Sequence, residues 1–173
     1  MKVSRRQVFL PALILTFLIM IVLTRVGRPL TTPAAPYGII SYEFAGSVQS
    51  ANEILLSWGE SGRVHAAFSL GFDFLFILAY MTSIGLACTW AGEVLRGRGW
   101  PLGSLGTLLA WGVCLAGVLD GIENVGLTTM LLGTLSSPWP QLAAACAAGK
   151  FLLIALALLY AAIGGLAWVF GRR

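Results

Sequence analysis

Charge is what this sequence has least of. Only 10% of its 173 residues are Asp, Glu, Lys or Arg, against about a quarter in soluble domains. With 58% hydrophobic residues, that scarcity excludes an ordinary soluble domain and points to a membrane protein. Histidine is limited to His65 and cysteine to Cys88, Cys114 and Cys146. The three cysteines fall in apolar runs with no CxxC or Cys/His spacing, so they are expected to pack as small hydrophobes without a disulfide. No Glu-x-x-His pair is present, which disfavours zinc and di-iron sites, and no metal or cofactor is expected. Serine or cysteine hydrolase chemistry lacks a well-placed histidine, since His65 has no evident nucleophile beside it.

Positive charge is present in small excess, +4 overall, yet it does not read as a nucleic-acid footprint. Most of it sits at Lys2, Arg5, Arg6, Arg96, Arg98, Arg172 and Arg173, the two ends and one short connection. Lys and Arg gather on the cytoplasmic side of a membrane, so both termini and the 93–98 connection are expected inside. Four spans satisfy this, and the length accommodates them at about 20 residues each. The expected architecture is an all-α, single-domain, four-span bundle with spans at about 8–25, 65–90, 102–132 and 141–170. The first apolar run is followed by Arg25 and Arg28 rather than an A-x-A-like site, which favours a retained span over a cleaved signal peptide.

Between the first and second spans, TTPAAPY at 31–37 breaks the chain, because two prolines favour extended backbone. From about 42 to 58, Phe44, Val48, Ala51, Leu55 and Trp58 recur at helical spacing, with Glu43, Ser47, Gln49, Ser50 and Glu53 mostly elsewhere. This predicts an amphipathic helix too short to span, lying on the outer surface or folded over the bundle mouth, with Trp58 at headgroup level. SSPWP at 136–140 is the outer turn before the last span. Gly117 and Gly121 offer a notch for the small residues 143–149 of that span.

The most informative stretch is LAGVLDGIENVGL at 115–127. Residues three and four apart share a helix face, so Asp120, Glu123 and Asn124 project to one side while Val118, Leu119, Ile122 and Val125 cover much of the rest. An ionisable group at membrane depth costs about 2.5 to 3.5 kcal/mol, so such a cluster must face protein, water or a ligand. Measured from the expected outer ends, Asp73 and Lys150 lie roughly 12 and 13 Å in, Glu123 about 14 Å and Asp120 about 18 Å. That common level predicts a polar chamber in the outer half, with Tyr80 on the face of Asp73 and His65 at the rim. A competing arrangement breaks the third span at Asp120-Gly121, making Asp120 the N-cap of a short outer helix and Glu123 its capping-box partner.

The runs TPAAPYGIISYEFAGS, SLGFDFLFILAY, LDGIENVGL and PWPQLAAACAAGKF together resemble an uncharacterised family of small four-span bacterial membrane proteins. The resemblance covers most of the chain after Thr31 and implies the four-helix arrangement and a bacterial inner membrane, but no activity. It draws attention to Glu43, Trp58, Asp73, Tyr80, Asp120, Glu123, Asn124 and Lys150.

Three functions remain open on the residues alone. The leading expectation is binding of a membrane lipid or other amphipathic molecule, its head at Asp73, Asp120, Glu123, Asn124 and Lys150 and its tail among Phe72, Phe74 and Phe76. The second is an accessory subunit of a larger membrane complex, with the charges as interhelical glue. The third is a membrane enzyme using a carboxyl as acid or base on a lipid. A channel or transporter is disfavoured, because the inner half, including 108–114, carries no continuing polar path.

Overall fold

The computed structural model describes residues 4–170. Lys2, Arg172 and Arg173, which contribute to the orientation expected above, lie outside the described residues. The chain is all-α; among the described residues the only extended pairing is an isolated bridge between Thr32 and Ala35. Helix α1 spans Arg5–Val26, a 3-10 turn follows at Arg28–Leu30, and α2 spans Ile39–Glu43. Helix α3 covers Val48–Gly97, a second 3-10 turn Pro101–Ser104, α4 Leu105–Leu131 and α5 Trp139–Phe170. Helices α1, α3, α4 and α5 are long and apolar enough to cross a membrane, which makes this a multi-pass, four-helix membrane protein.

The individual helices decide one open alternative and change one expectation. The third span is one continuous helix through residue 120, so the arrangement with Asp120 as N-cap does not occur. No proline removes a backbone donor at that point, and a helix in lipid keeps its backbone hydrogen bonds within itself despite the modest helix propensity of Val118, Asp120, Ile122 and Asn124. The single helix expected at about 42–58 is instead two pieces, because the chain leaves α2 at Phe44 and re-enters helix at Val48. The second piece runs directly into the second span through a kink at Gly59, where φ is 58° and ψ is −165°.

The chain divides into two compact units. One comprises residues 4–16, 78–118 and 150–170, the other residues 17–77 and 119–149. In the first unit, α3 meets α4 and α5 through small residues. A Cβ added at Gly106 would lie 2.7 Å from the Cys88 carbonyl oxygen, and one at Gly164 would lie 2.3 Å from the Ala91 Cβ. Such residues let backbones approach closely where lipid offers no hydrophobic driving force between helices. Thr16 and Ser83 join α1 to α3 through a hydroxyl pair at 3.1 Å, and the Tyr160 hydroxyl donates to the Leu102 carbonyl at 2.8 Å. No disulfide joins Cys88, Cys114 or Cys146. The notch expected at Gly121 is turned to a different neighbour, since a Cβ there would meet the Phe74 ring edge of α3 at 3.9 Å rather than α5.

The second unit has its core where the non-spanning segment folds onto the helices. Leu30, Ala35, Tyr42, Ile54, Leu55 and Trp58 from that segment pack with Ala66 and Leu70 of α3, Leu127 and Met130 of α4, and Ala143 of α5. Trp58 is buried against the protein, with its indole N–H donating to the Leu30 carbonyl at 2.8 Å. Its ring meets Tyr42 edge-on at 5.2 Å between centroids, a geometry worth about 0.5–1.5 kcal/mol beyond the area buried. The Tyr42 hydroxyl donates to the Leu127 carbonyl at 3.2 Å. Burial pushes the Tyr42 phenol above its ordinary pKa, only partly offset by the nearby Arg63 guanidinium, so it remains a donor. Across the kink, the Arg63 Nε donates to the Leu55 carbonyl at 3.2 Å, supplying a partner in the turn that Gly59 interrupts.

Candidate functional site

The fold of residues 28–58 decides what meets the polar residues of the second unit. On α4, Asp120, Glu123, Asn124 and Leu127 follow at i, i+3, i+4 and i+7 and are all buried, while Val118, Ile122 and Val125 are exposed on the opposite face. The same spacing on α3 puts Ser69 and Asp73 on one stripe with Ala66, Leu70 and Ile77. The two stripes meet where the Asn124 amide Nδ2 donates to Asp73 Oδ2 at 2.7 Å. From the other side comes Glu43, the last residue of α2, buried to 8% exposure although it belongs to no span.

These groups enclose a small recess of about 70 Å³, with Glu43, Ser69, Asp73 and Asn124 as its polar lining and Leu23, Gly27, Ile39 and Leu70 as its apolar lining. Ser69 is 6% exposed, and its hydroxyl oxygen has no hydrogen-bond partner among the described residues. A buried hydroxyl in that condition costs about 1–3 kcal/mol. The recess is therefore rich in acceptors, and Tyr42, next in the chain to Glu43, packs on Trp58 in the core of the same unit.

The residues expected in the chamber take several positions. Asp73 and Asn124 are brought together and line the recess. Asp120 and Glu123 are buried on the same stripe of α4, Glu123 completely, but do not line it. His65 does not line it either; its Nδ1 lies 2.8 Å from the Ser61 carbonyl oxygen, one turn back on its own helix. Tyr80 and Lys150 belong to the other unit, where both are buried and the Lys150 ammonium stands 5.1 Å from the centroid of the Phe151 ring. The tail region expected at Phe72, Phe74 and Phe76 is not part of the recess, whose apolar wall is Leu23, Gly27, Ile39 and Leu70 instead, and Phe74 is exposed.

Glu43 and Ser69 are the two polar lining residues that the spacing arguments did not place. Glu43 carries a faint sequence signal, an acid between Tyr42 and Phe44 in an otherwise apolar run. Ser69 carries none, since serines are common in membrane helices and usually bond the carbonyl four residues back. Among the described residues, no three His, Cys, Asp or Glu side chains are grouped as a metal site would need.

Comparison with known proteins adds no family: no family model, no curated protein and no solved structure matches this chain.

Proposed function

We propose that the recess binds the cationic head of an amphipathic molecule, specifically a primary ammonium, with the molecule's apolar part leaving past Leu23 and Ile39. The reading rests on one observation, the convergence of Glu43, the unpartnered Ser69 hydroxyl and the Asp73–Asn124 pair on a single recess in an apolar unit. An ammonium presents three N–H donors, and Glu43, Ser69 and Asp73 supply three acceptor groups from two directions. Hydrogen bonds between an ionised donor and a carboxylate are roughly twice as strong as neutral ones. The recess volume of about 70 Å³ exceeds the share of two water molecules, at about 30 Å³ each. That suits an ammonium with its first methylene. A trimethylammonium head has no N–H donor and is recognised by aromatic faces, which the lining lacks.

We further propose that the protein sits in a bacterial inner membrane, as its resemblance to small four-span bacterial membrane proteins implies, with both termini and the connection bearing Arg96 and Arg98 in the cytoplasm, an orientation supported by the positive-inside rule. The recess then belongs to the unit whose connections, at 27–58 and 132–138, face outward.

The test uses purified protein in a neutral maltoside detergent, titrated with dodecylamine and with dodecyltrimethylammonium and read by native mass spectrometry. Dodecylamine is expected to give a one-to-one adduct at concentrations where the trimethyl analogue gives none, and Glu43→Gln is expected to weaken it about tenfold. Equal uptake of the two amphiphiles, or uptake indifferent to Glu43→Gln in a protein that still elutes as a single species, overturns the proposal.

A further inference from the structure

A second and much larger cavity lies wholly within the first unit and plays no part in the recess. Its volume is about 620 Å³, and its walls are Phe9 and Leu10 of α1, Leu86 and Trp90 of α3, and Trp168 of α5. That size lies inside the roughly 300–1,000 Å³ range of small-molecule sites. The Trp90 and Trp168 rings stand 5.6 Å apart at a tilt of 58°, and Trp90 and Leu10 are exposed on membrane-spanning helices. Charge in the lining is confined to Arg5 and Glu93, which pair with each other.

That pairing shapes the choice of occupant. Both side chains are more than half exposed, at 66% and 52%, and exposed ion pairs contribute little to stability, so this one yields readily to a better partner. A ligand matching the cavity must carry a long apolar part and a head with one charge of each sign. We propose that the groove holds one phosphoethanolamine-headed phospholipid, its phosphate at the Arg5 guanidinium, its ammonium at the Glu93 carboxylate and an acyl chain along Phe9, Leu86, Trp90 and Trp168. Arg binds phosphate oxygens through parallel N–H bonds. The ammonium donates to Glu93, which a choline head cannot do, and a phosphoglycerol head offers Glu93 no positive charge at all.

Native mass spectrometry of the full chain in a neutral maltoside detergent tests this with phosphatidylethanolamine, phosphatidylcholine and phosphatidylglycerol of identical acyl chains. One phosphatidylethanolamine is expected to be retained about tenfold more tightly than either of the others. Glu93→Gln should reduce its retention to that of phosphatidylcholine, whereas Arg5→Gln should weaken all three lipids together. Leu86→Trp, which fills the groove and leaves both charges in place, should abolish retention. Phosphatidylglycerol held as tightly as phosphatidylethanolamine by the unaltered protein overturns the proposal, a result that does not depend on any variant folding. So does an ethanolamine preference that survives Glu93→Gln, or retention that Leu86→Trp leaves intact.

Discussion

Ser69 sets a function-related group against stability at the scale of a single side chain. Its hydroxyl is buried in the wall of the recess with no partner among the described residues, a condition that costs about 1–3 kcal/mol. Ser69→Ala removes the oxygen and keeps the backbone and most of the volume. The ligand-free variant is therefore expected to unfold at a higher temperature than the parent in the same detergent, while its affinity for dodecylamine falls. A lower melting temperature would mean that the hydroxyl is satisfied in the folded protein and contributes no acceptor to the recess. Asn124 works in the opposite sense. Its amide donates to Asp73, so the pair anchors α4 to α3 before any ligand enters, and the carboxylate is presented in one fixed orientation.

At the scale of elements, the kink at Gly59 is what lets one helix serve two purposes. Before it, residues 48–58 lay Ala51, Ile54, Leu55 and Trp58 into the core, and after it α3 continues as a membrane span. The backbone there has φ 58° and ψ −165°, a region essentially reserved for glycine. A Cβ at Gly59 would meet nothing within 4 Å, so an alanine would add strain without a clash. Gly59→Ala is expected to lower stability by about 1–3 kcal/mol, read as a fall of several degrees in thermal unfolding. Gly165→Ala is the control, since a Cβ there also meets nothing within 4 Å and Gly165 lies inside helix α5. It should raise the midpoint through helix propensity, by up to about 1 kcal/mol. If both substitutions act alike, the chain is not kinked at residue 59.

For the whole molecule, orientation follows from where the few charges lie. Arg96 and Arg98 end α3 and begin the connection to α4, and the orientation proposed above on the positive-inside rule has them in the cytoplasm. In a background with Cys88, Cys114 and Cys146 replaced by alanine, Ser137→Cys is expected to react with a membrane-impermeant maleimide in spheroplasts. Arg98→Cys should react only after lysis. The reverse labelling pattern would invert the topology and move the recess to the cytoplasmic side. The large cavity and the recess belong to different units, so the two binding proposals fail or succeed separately.

The sequence by itself determined the class of the protein, the four spans and the shared face of Asp120, Glu123 and Asn124. Length, hydropathy and helical period act over neighbouring residues, and a helix in lipid satisfies its backbone within itself. What it did not determine was the path of residues 28–58, because that segment gains its shape from partners distant in the chain. Tyr42 reaches Leu127 and Trp58 reaches Leu30, and only those contacts carry Glu43 to the side of Asp73 and Asn124. The lining of the recess was decided by tertiary packing for the same reason: depth along a span can be counted from a sequence, but which buried faces turn toward one another depends on the rotation and approach of whole helices.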